Sequence, residues 1–301
     1  MAQADLVLGS SPKGYRSGFV SIVGRPNVGK STLLNQILRT KVAIISERPQ
    51  TTRNAIRGIF TTDEAQLVFV DTPGMHRPRT ELGRRLNRLV RHTMDEVDVS
   101  VFLLDATGVG KGDQFIASEI KRHTTPVIVA LNKIDAVDPP SLERARQRAS
   151  ELIDEHAPFG ISARTGAGVD DLLRALTAAV PEGPVLFAPE AITDQSPARS
   201  IAELIREKAL DLTREEVPHS IAVVVDEMSD EEIHATIYVE RDSQKGIVIG
   251  RRGAMLKEIG TRARHDVEEM LGHRVYLDLH VKVAKDWQSR DGTLERFGYG
   301  T

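Results

Sequence analysis

The chain has 301 residues, a formal net charge of -3 and no cysteine. This length suits two domains that each bury a core, and the lack of cysteine excludes disulfides, thiolate metal sites and cysteine nucleophiles. No apolar run approaches the roughly 20 residues of a membrane-spanning helix, and residues 1–15 lack the basic start and apolar stretch of a secretory signal. We therefore expect a cytoplasmic protein in which residues 1–15 form a short flexible lead.

Residues 16–182 alternate short β-branched runs with longer amphipathic ones. The strand-like runs are FVSIV, AIRGIF, AQLVFVD, SVFLLDA and PVIVALN, and the helix-like runs include STLLNQIL and DDLLRALTAAV. Alternation of this kind predicts an α/β domain with a mostly parallel sheet and helices on both faces. Ligands of such domains bind at the carboxyl ends of the strands.

The segment GRPNVGKS lies between a predicted strand and a predicted helix, which is the context that a phosphate-binding loop (P-loop) requires. Glycine lets the backbone turn its NH groups toward phosphate oxygens, and the helix N-terminus adds partial positive charge. Lys30 should reach the β and γ phosphates, and the Ser31 hydroxyl should bind Mg²⁺. A chance glycine turn is the alternative, which the flanking strand and helix disfavour. The predicted nucleotide contacts in this loop are Gly24, Asn27, Val28, Gly29, Lys30, Ser31 and Thr32.

A second motif, DTPG, follows the buried run VFV. Asp71 can hold Mg²⁺ through a water molecule, and the Gly74 NH can contact the γ phosphate. DTPG alone is as compatible with a strand-ending turn, but its position after a P-loop favours the nucleotide site. Between the two motifs, Thr51 and Thr52 are both candidates for a threonine that senses the γ phosphate.

A third motif, NKID, ends another apolar run and predicts the base that is bound. The Asp135 carboxylate can accept hydrogen bonds from N1 and N2 of guanine, whereas adenine has an acceptor at N1 and no amino group at C2. Asn132 is expected to tie the base edge to the P-loop, and the Lys133 stem to cover one face of the base. Ser162 and Ala163, in GISA, are the weakest candidates, with backbone NH groups for guanine O6.

Residues 183–198 are rich in Pro, Ser and Ala without a sustained period, which predicts a linker. Residues 199–301 then give a helix, two strands, a helix, a GxxG turn, a long helix and a strand, a small α+β domain. The single tryptophan, Trp287, is expected to pack the C-terminal tail. Three histidines have no metal-ligand spacing and are read as surface or strand positions: His265, His273 and His280.

The GxxG turn is GRRG, and the order of elements around it resembles the KH domain arrangement of bacterial proteins. Residues 241–264 carry seven basic and two acidic residues, a net charge of +5 in a chain of -3. A solvated helix face is the alternative, but it would mix acids among these bases. The predicted RNA-binding residues are Lys245, Ile249, Gly250, Arg251, Arg252, Gly253 and Lys257.

Together these motifs, from about Phe19 to the end of the chain, resemble the Era-type GTPases. The resemblance implies a P-loop GTPase domain with a type II KH domain, slow hydrolysis of GTP to GDP with Mg²⁺, and a monomer. It implies binding of the 3′ region of 16S rRNA and assistance in the maturation of the small (30S) ribosomal subunit. It also favours Thr52 as the switch threonine, so that the catalytic set is Lys30, Thr52, Asp71 and Gly74.

The residue after DTPG is Met75, where Ras-type enzymes carry a glutamine that orients the attacking water. Water must then be positioned by another group. By the same resemblance, Asn27 is a candidate ligand for K⁺ beside the phosphates. The next residue, His76, is read as a surface histidine of this loop.

The same motifs also suit two alternative functions. A relative with two GTPase domains is excluded, because GKS and DTPG each occur once. A GTP-gated signalling adaptor at the inner face of the membrane, with its basic module on anionic lipid, stays open as the second hypothesis.

Overall fold

The fold is seen in a computed structural model, which describes residues 6–46, 51–53, 55–76, 81–153, 157–214 and 217–298. The chain divides into two compact units. The first comprises residues 1–43, 52–78 and 83–194, and the second comprises residues 44–51, 79–82 and 195–301. Residues 1–5 of the predicted lead and 299–301 of the predicted C-terminal domain lie outside the described residues.

The first unit is built on a six-stranded sheet in the order β2-β3-β1-β4-β5-β6. All neighbouring strands are parallel except β2 and β3, which pair antiparallel. The predicted mostly parallel sheet is therefore confirmed. Its strands are β1 (Arg16–Val23), β2 (Ile56–Thr61), β3 (Ala65–Asp71), β4 (Val99–Asp105), β5 (Val127–Asn132) and β6 (Phe159–Gly160).

Helices cover both faces of this sheet, as the alternation predicted. They are α1 (Lys30–Leu38), α2 (Glu81–Glu96), α3 (Lys111–Ile120), α4 (Pro139–Leu152) and α5 (Val169–Ala179). Alternate residues of β4 point to opposite faces, so that Leu103 joins a core with α1 and α5 while Leu104 joins a core with α2, α3 and α4. The two cores hold the carboxyl ends of β1, β3, β4 and β5 at one edge, where the predicted motifs lie.

The first part of the predicted linker is hydrogen bonded into the first unit. Leu186 and Phe187 donate their backbone NH groups to Gln66 Oε1 at 2.8 and 2.9 Å. Thr193 forms an isolated bridge with Gly58 of the edge strand β2. Residues 182–194, called the strap below, thus run along the sheet rather than forming a free linker. They are held by the buried Gln66 amide, a contact that sequence periodicity does not reveal.

The described part of the predicted lead is also attached. Gly9 donates to the Val185 carbonyl and Val185 donates to the Ser10 carbonyl, both at 2.8 Å, and Tyr15 is buried. Residues 9 and 10 therefore pair with the strap, which differs from the flexible segment expected.

The second unit is an α+β fold around a three-stranded sheet in the order β7-β8-β9, with β7 and β8 antiparallel and β8 and β9 parallel. Its apolar core lies between the sheet and the two long helices α6 and α9. Apart from the one-turn α7 and the short α10, this is the predicted order of a type II KH domain. The elements are α6 (Pro197–Leu212), α7 (Val217–Ser220), β7 (Ala222–Met228), β8 (Glu232–Val239), α8 (Asp242–Ile249), α9 (Ala254–Leu271), β9 (Tyr276–Val283) and α10 (Asp291–Arg296).

The predicted packing of the C-terminal tail by Trp287 is confirmed. Its indole is fully buried, donates Nε1–H to the Ser220 carbonyl at 2.8 Å and meets the Phe297 ring edge-on at 5.4 Å. Across the described residues, no helix is both long and apolar enough to cross a membrane.

Candidate nucleotide and nucleic-acid sites

The P-loop joins the end of β1 to the first turn of α1. Gly29 has φ 102°, and a Cβ atom there would lie 2.3 Å from Asn132 Nδ2, so only glycine fits this turn. Asn27 also takes the left-handed conformation, with φ 62°. The first turn of α1 contains no acidic side chain, which leaves its partial positive charge available to an anion.

Lys30 is buried beneath this loop. Its Nζ lies 3.1 Å from the Arg25 carbonyl and 3.5 Å from the Gly24 carbonyl. Burial lowers the pKa of Lys30 to about 8, against the opposing effect of the Asp71 charge. A cation held among carbonyl oxygens at the base of the loop is well placed for the terminal phosphates of a nucleotide.

Ser31, Thr52 and Asp71 converge at one point. Asp71 Oδ2 accepts from Ser31 Oγ at 2.7 Å and from Thr52 Oγ1 at 3.3 Å, and the two hydroxyls are 3.1 Å apart. The second carboxylate oxygen, Asp71 Oδ1, is buried without a hydrogen-bond partner. Burial raises the pKa of Asp71, while Lys30 and the two hydroxyls act in the opposite direction.

This donor set fits Mg²⁺. A carboxylate with an unsatisfied oxygen and two hydroxyls are hard oxygen ligands, which Mg²⁺ prefers. The structure places Thr52 here, whereas the Thr51 hydroxyl donates to the Ser46 carbonyl at 3.5 Å. The role of Thr52 in metal binding remains a prediction, now with the geometry that it requires.

The DTPG loop lies against the P-loop. A Cβ atom on Gly74 would lie 2.6 Å from Pro26 N, and Met75 N donates to the Gly24 carbonyl at 3.2 Å. The Met75 side chain is buried in the core beside α2 and α3, so it does not face the phosphate side. His76 is half-buried, and its backbone carbonyl accepts a hydrogen bond from Asn87 Nδ2 at 2.7 Å.

Asn132 connects two parts of the site. Its Nδ2 donates to the Val28 carbonyl at 2.8 Å, and its Oδ1 accepts from the Ala163 NH at 2.9 Å. The side chain therefore ties the P-loop to the GISA loop, and its predicted contact with the base edge stays a prediction.

The Asp135 carboxylate stands at the end of β5, with the Arg164 guanidinium 2.7 Å from its Oδ2. A hydrogen bond from Ser162, aided by the charge of Arg164, holds the pKa of Asp135 below its ordinary value. The group is thus an ionised acceptor, which is the state that recognition of the guanine N1–H and N2–H donors requires.

Lys133 crosses from the base motif to the P-loop. Its Nζ lies 3.0 Å from the Asn27 carbonyl and 2.6 Å from Asp105 Oδ2. Neither Asp105 nor the ion pair between Arg25 and Asp113 was predicted from the sequence. Asp105 ends β4 as Asp71 ends β3, so the rule that polar residues at strand ends mark a site could have identified it.

In the second unit, α8 runs into the GxxG turn and then into α9. Gly250 has φ 73°, and a Cβ atom there would lie 2.6 Å from Met255 Cβ. Arg252 is left-handed with φ 54°, a strained conformation for arginine. Ile249 is half-buried beside the turn, and the neighbouring Ile247 is exposed.

The basic patch divides into paired and unpaired cations. Arg262 pairs with Glu258 at 2.7 Å, and Arg264 with Glu268 at 3.8 Å. None of the other five makes an ion pair with a described residue, and four of these five flank the turn: Lys245, Arg251, Arg252 and Lys257. A polyanion at the turn would therefore meet four cations that no described carboxylate neutralises. Among the described residues, no group of three or more His, Asp or Glu side chains could hold a metal ion.

The fold and these sites define a P-loop GTPase joined to a KH domain. A family model for "50S ribosome-binding GTPase" matches residues 19–133, and a KH domain model matches residues 216–288. GTPase Era of Carboxydothermus hydrogenoformans is 45% identical over 292 residues, which are 95% of this chain and 98% of that protein. The chain belongs to the Era family of GTPases.

Two solved structures show the same likeness. A variant of Aquifex aeolicus Era bound to GDP and AlF4⁻ is 41% identical, with a TM-score of 0.92 over 95% of this chain and 100% of that chain. Era in complex with MgGDPNP and nucleotides 1506–1542 of 16S ribosomal RNA is 42% identical, with a TM-score of 0.90 and the same coverage.

Proposed function

We propose that this GTPase is an assembly factor for the small ribosomal subunit, which binds the 3′ region of 16S rRNA through its KH domain under the control of bound GTP or GDP. The observation that carries the proposal is the GxxG turn with its four cations on the same chain as the nucleotide site. The matching KH model and the relative bound to a 16S rRNA fragment support it.

Each nucleotide contact has a proposed role. The backbone of the P-loop, from Gly24 to Thr32, surrounds the phosphates, and Lys30 neutralises the β and γ phosphates. Asp135 selects guanine, with the backbone NH groups of Ser162 and Ala163 directed at O6. Ser31 and Thr52 would hold Mg²⁺ directly and Asp71 through water, and the ion would neutralise charge that develops on the phosphates.

Hydrolysis depends on positioning, because the protein forms no covalent bond to the phosphate. Lys30, Thr52, Asp71 and the Gly74 NH surround the place of the γ phosphate. The Met75 side chain is buried in the core, so it does not orient the attacking water. We propose that K⁺ beside Asn27 supplies part of the charge that an arginine finger supplies in other GTPases.

RNA binding follows from the GxxG turn. Gly250 and Gly253 let a phosphate backbone come close, Arg251 and Arg252 meet the phosphates, and Ile249 borders an apolar surface for unstacked bases. Lys245 and Lys257 extend the positive surface. Affinity should therefore fall steeply with salt, by a slope of roughly 0.7 per phosphate contact on single strands.

The choice of ribosomal subunit rests on the RNA. The family model over residues 19–133 names the 50S subunit, whereas the Era structure with RNA contains a 16S fragment, and 16S rRNA belongs to the small subunit. We favour the small subunit, because that structure covers both units of this chain. A cytoplasmic monomer is part of the proposal, and peripheral contact with anionic lipid is the second candidate, since an exposed basic turn also suits lipid headgroups.

The test is a charge reversal at the turn, Arg251→Asp with Arg252→Asp. Binding to RNA of the 16S 3′ end should weaken at least tenfold, and the salt slope should shrink by about 1.4, since two phosphate contacts are lost. The matched control is Arg146→Asp with Arg148→Asp, which makes the same charge change on the exposed surface of α4. Filter binding measures the RNA, and circular dichroism checks the fold.

In the second arm of this experiment, binding of the variant and the control to phosphatidylglycerol vesicles is measured. Equal RNA affinity in the variant and the control would refute the proposed role of the GxxG turn in RNA binding. If the variant keeps its RNA affinity and loses binding to the vesicles, the signalling adaptor becomes the better account.

A further inference from the structure

An acid flanks the loop between β4 and α3 on each side: Asp105 is the last residue of β4, and Asp113 lies in the first turn of α3. Both acids hold parts of the P-loop. We infer that Asp105 and Asp113 are positioning residues for GTP hydrolysis. Asp105 positions Lys133, beside the place proposed for the base, and Asp113 positions Arg25, whose carbonyl faces Lys30. The inference rests on the proposed roles of Lys30 and Lys133.

Asp105 sets the position of Lys133. Thr107 donates to Asp105 Oδ1 from its backbone NH at 2.9 Å and from its hydroxyl at 2.6 Å, which fixes the carboxylate. The other oxygen, Oδ2, receives Lys133 Nζ at 2.6 Å, and the same ammonium reaches the Asn27 carbonyl. Asp105 therefore holds the lysine that is proposed to cover the base, and through it the left-handed Asn27.

Burial opposes ionisation of Asp105, but the bonds from Lys133 and Thr107 outweigh it and leave the pKa of Asp105 below its ordinary value. The carboxylate is thus charged near neutral pH. Replacing it by an amide would keep the size of the side chain and remove the charge that orients the Lys133 ammonium.

Asp113 sets the other half of the loop. Its side chain is completely buried, with Oδ1 accepting from Arg25 Nε at 2.7 Å and Oδ2 from the Gly110 NH at 2.8 Å. Arg25 also donates to the Gly108 carbonyl at 2.5 Å. A Cβ atom on Gly112 would lie 2.5 Å from Arg25 Cδ, so the arginine lies tightly on the start of α3.

The backbone carbonyl of this anchored arginine is one of the two that face Lys30 Nζ. Asp113 therefore acts through Arg25 on the surroundings of the lysine proposed for the β and γ phosphates. Asp105 acts through Lys133 on the base. The two acids should consequently affect different kinetic constants.

The experiment compares Asp105→Asn and Asp113→Asn in the full chain by steady-state GTP hydrolysis and by dissociation of fluorescent GDP. Asp105→Asn should raise KM and the GDP dissociation rate about tenfold, with kcat within about twofold, since a hydrogen bond to a charged group is lost on the binding side. Asp113→Asn should lower kcat about tenfold and leave KM within about twofold.

The matched control is Glu119→Gln on the same helix, α3. Glu119 is a nearly buried acid that pairs with Arg91 at 2.6 Å and Arg122 at 3.0 Å, away from the P-loop. This variant should stay within about twofold of wild type in both constants, although it loses two ion pairs. Thermal unfolding of all three variants separates loss of stability from loss of positioning.

Equal changes of KM and kcat in the two aspartate variants, or changes no larger than in Glu119→Gln, would overturn the inference. If Asp113→Asn does not fold, Arg25→Lys replaces it, since lysine keeps the charge but cannot reach both Asp113 and Gly108. The same fall in kcat is then expected, and a wild-type kcat would contradict the inference. Hydrolysis by the wild-type chain in the same assay tests the GTPase activity separately.

Discussion

Left-handed backbone marks the two sites at the scale of single residues. Five non-glycine residues in the described part of the chain have positive φ, and three of them lie in a predicted motif: Asn27, Lys133 and Arg252. Such conformations cost of order 1–3 kcal/mol each and persist where the surroundings enforce them. At Lys133 the enforcing contacts are the ion pair with Asp105 and the bond to the Asn27 carbonyl.

Asp135→Asn tests the reading of the base. The carboxamide presents a donor where the carboxylate accepted two hydrogen bonds, so it should leave guanine unpaired and suit the additional carbonyl of xanthine. We expect GTP affinity to fall by about 100-fold or more and XTP to become the preferred nucleotide, measured by competition with fluorescent GDP. A variant that binds GTP as tightly as wild type would refute the base-reading role of Asp135.

Exchange of Na⁺ for K⁺ tests the proposed role of Asn27. If K⁺ stabilises charge on the phosphates, GTP turnover should rise about tenfold in K⁺. Asn27→Gly is the control, since glycine accepts the φ of 62° at this position without strain and removes the side-chain oxygen. An identical rate in both salts for the wild-type chain would remove the K⁺ assignment.

Site residues that end or follow a strand were predictable from the sequence. Residues that only position those site residues were not. Asp71, Asn132 and Asp135 were found because each follows an apolar run within a known spacing. Arg25 and Asp113 are 88 positions apart, and no local pattern pairs them. The sequence also showed that Met75 is not glutamine, but only the packing shows that its side chain is buried.

At the scale of elements, the sheet was predictable because buried parallel strands are continuous apolar runs. The strap over residues 182–194 was not, because its contacts are with the Gln66 side chain and the edge of β2. Neither partner leaves a periodic signal in the strap itself. The division between the two units, after Asp194, falls within the linker predicted over residues 183–198, but most of that segment is hydrogen bonded to the first unit.

Trp287→Ala tests whether the C-terminal tail completes the second unit. The indole is fully buried, so its removal should cost about 3–5 kcal/mol of stability for that unit. Trp287→Phe is the matched variant, since it keeps an aromatic ring in the core but leaves the Ser220 carbonyl without its donor, and it should cost less. Chemical denaturation of the full chain followed by circular dichroism measures both. A loss below about 1 kcal/mol for the alanine variant would show that the tail is dispensable.

At the scale of the whole molecule, the small negative net charge hides an uneven distribution of charge along the chain. The chain carries -3 overall, yet residues 241–264 carry +5 around the GxxG turn. The residues of the nucleotide site lie in the first unit, and the GxxG turn lies in the second. A GTPase unit and an RNA-binding unit on one chain are what a nucleotide-controlled RNA-binding factor requires.

The most direct test of this account is ultraviolet crosslinking of the protein to RNA in living cells, followed by sequencing of the bound RNA. We predict that reads concentrate at the 3′ end of 16S rRNA and that this peak disappears in the Arg251→Asp, Arg252→Asp variant. Reads spread evenly over cellular RNA, or an unchanged peak in the variant, would contradict the central claim that the KH unit directs this GTPase to the small ribosomal subunit.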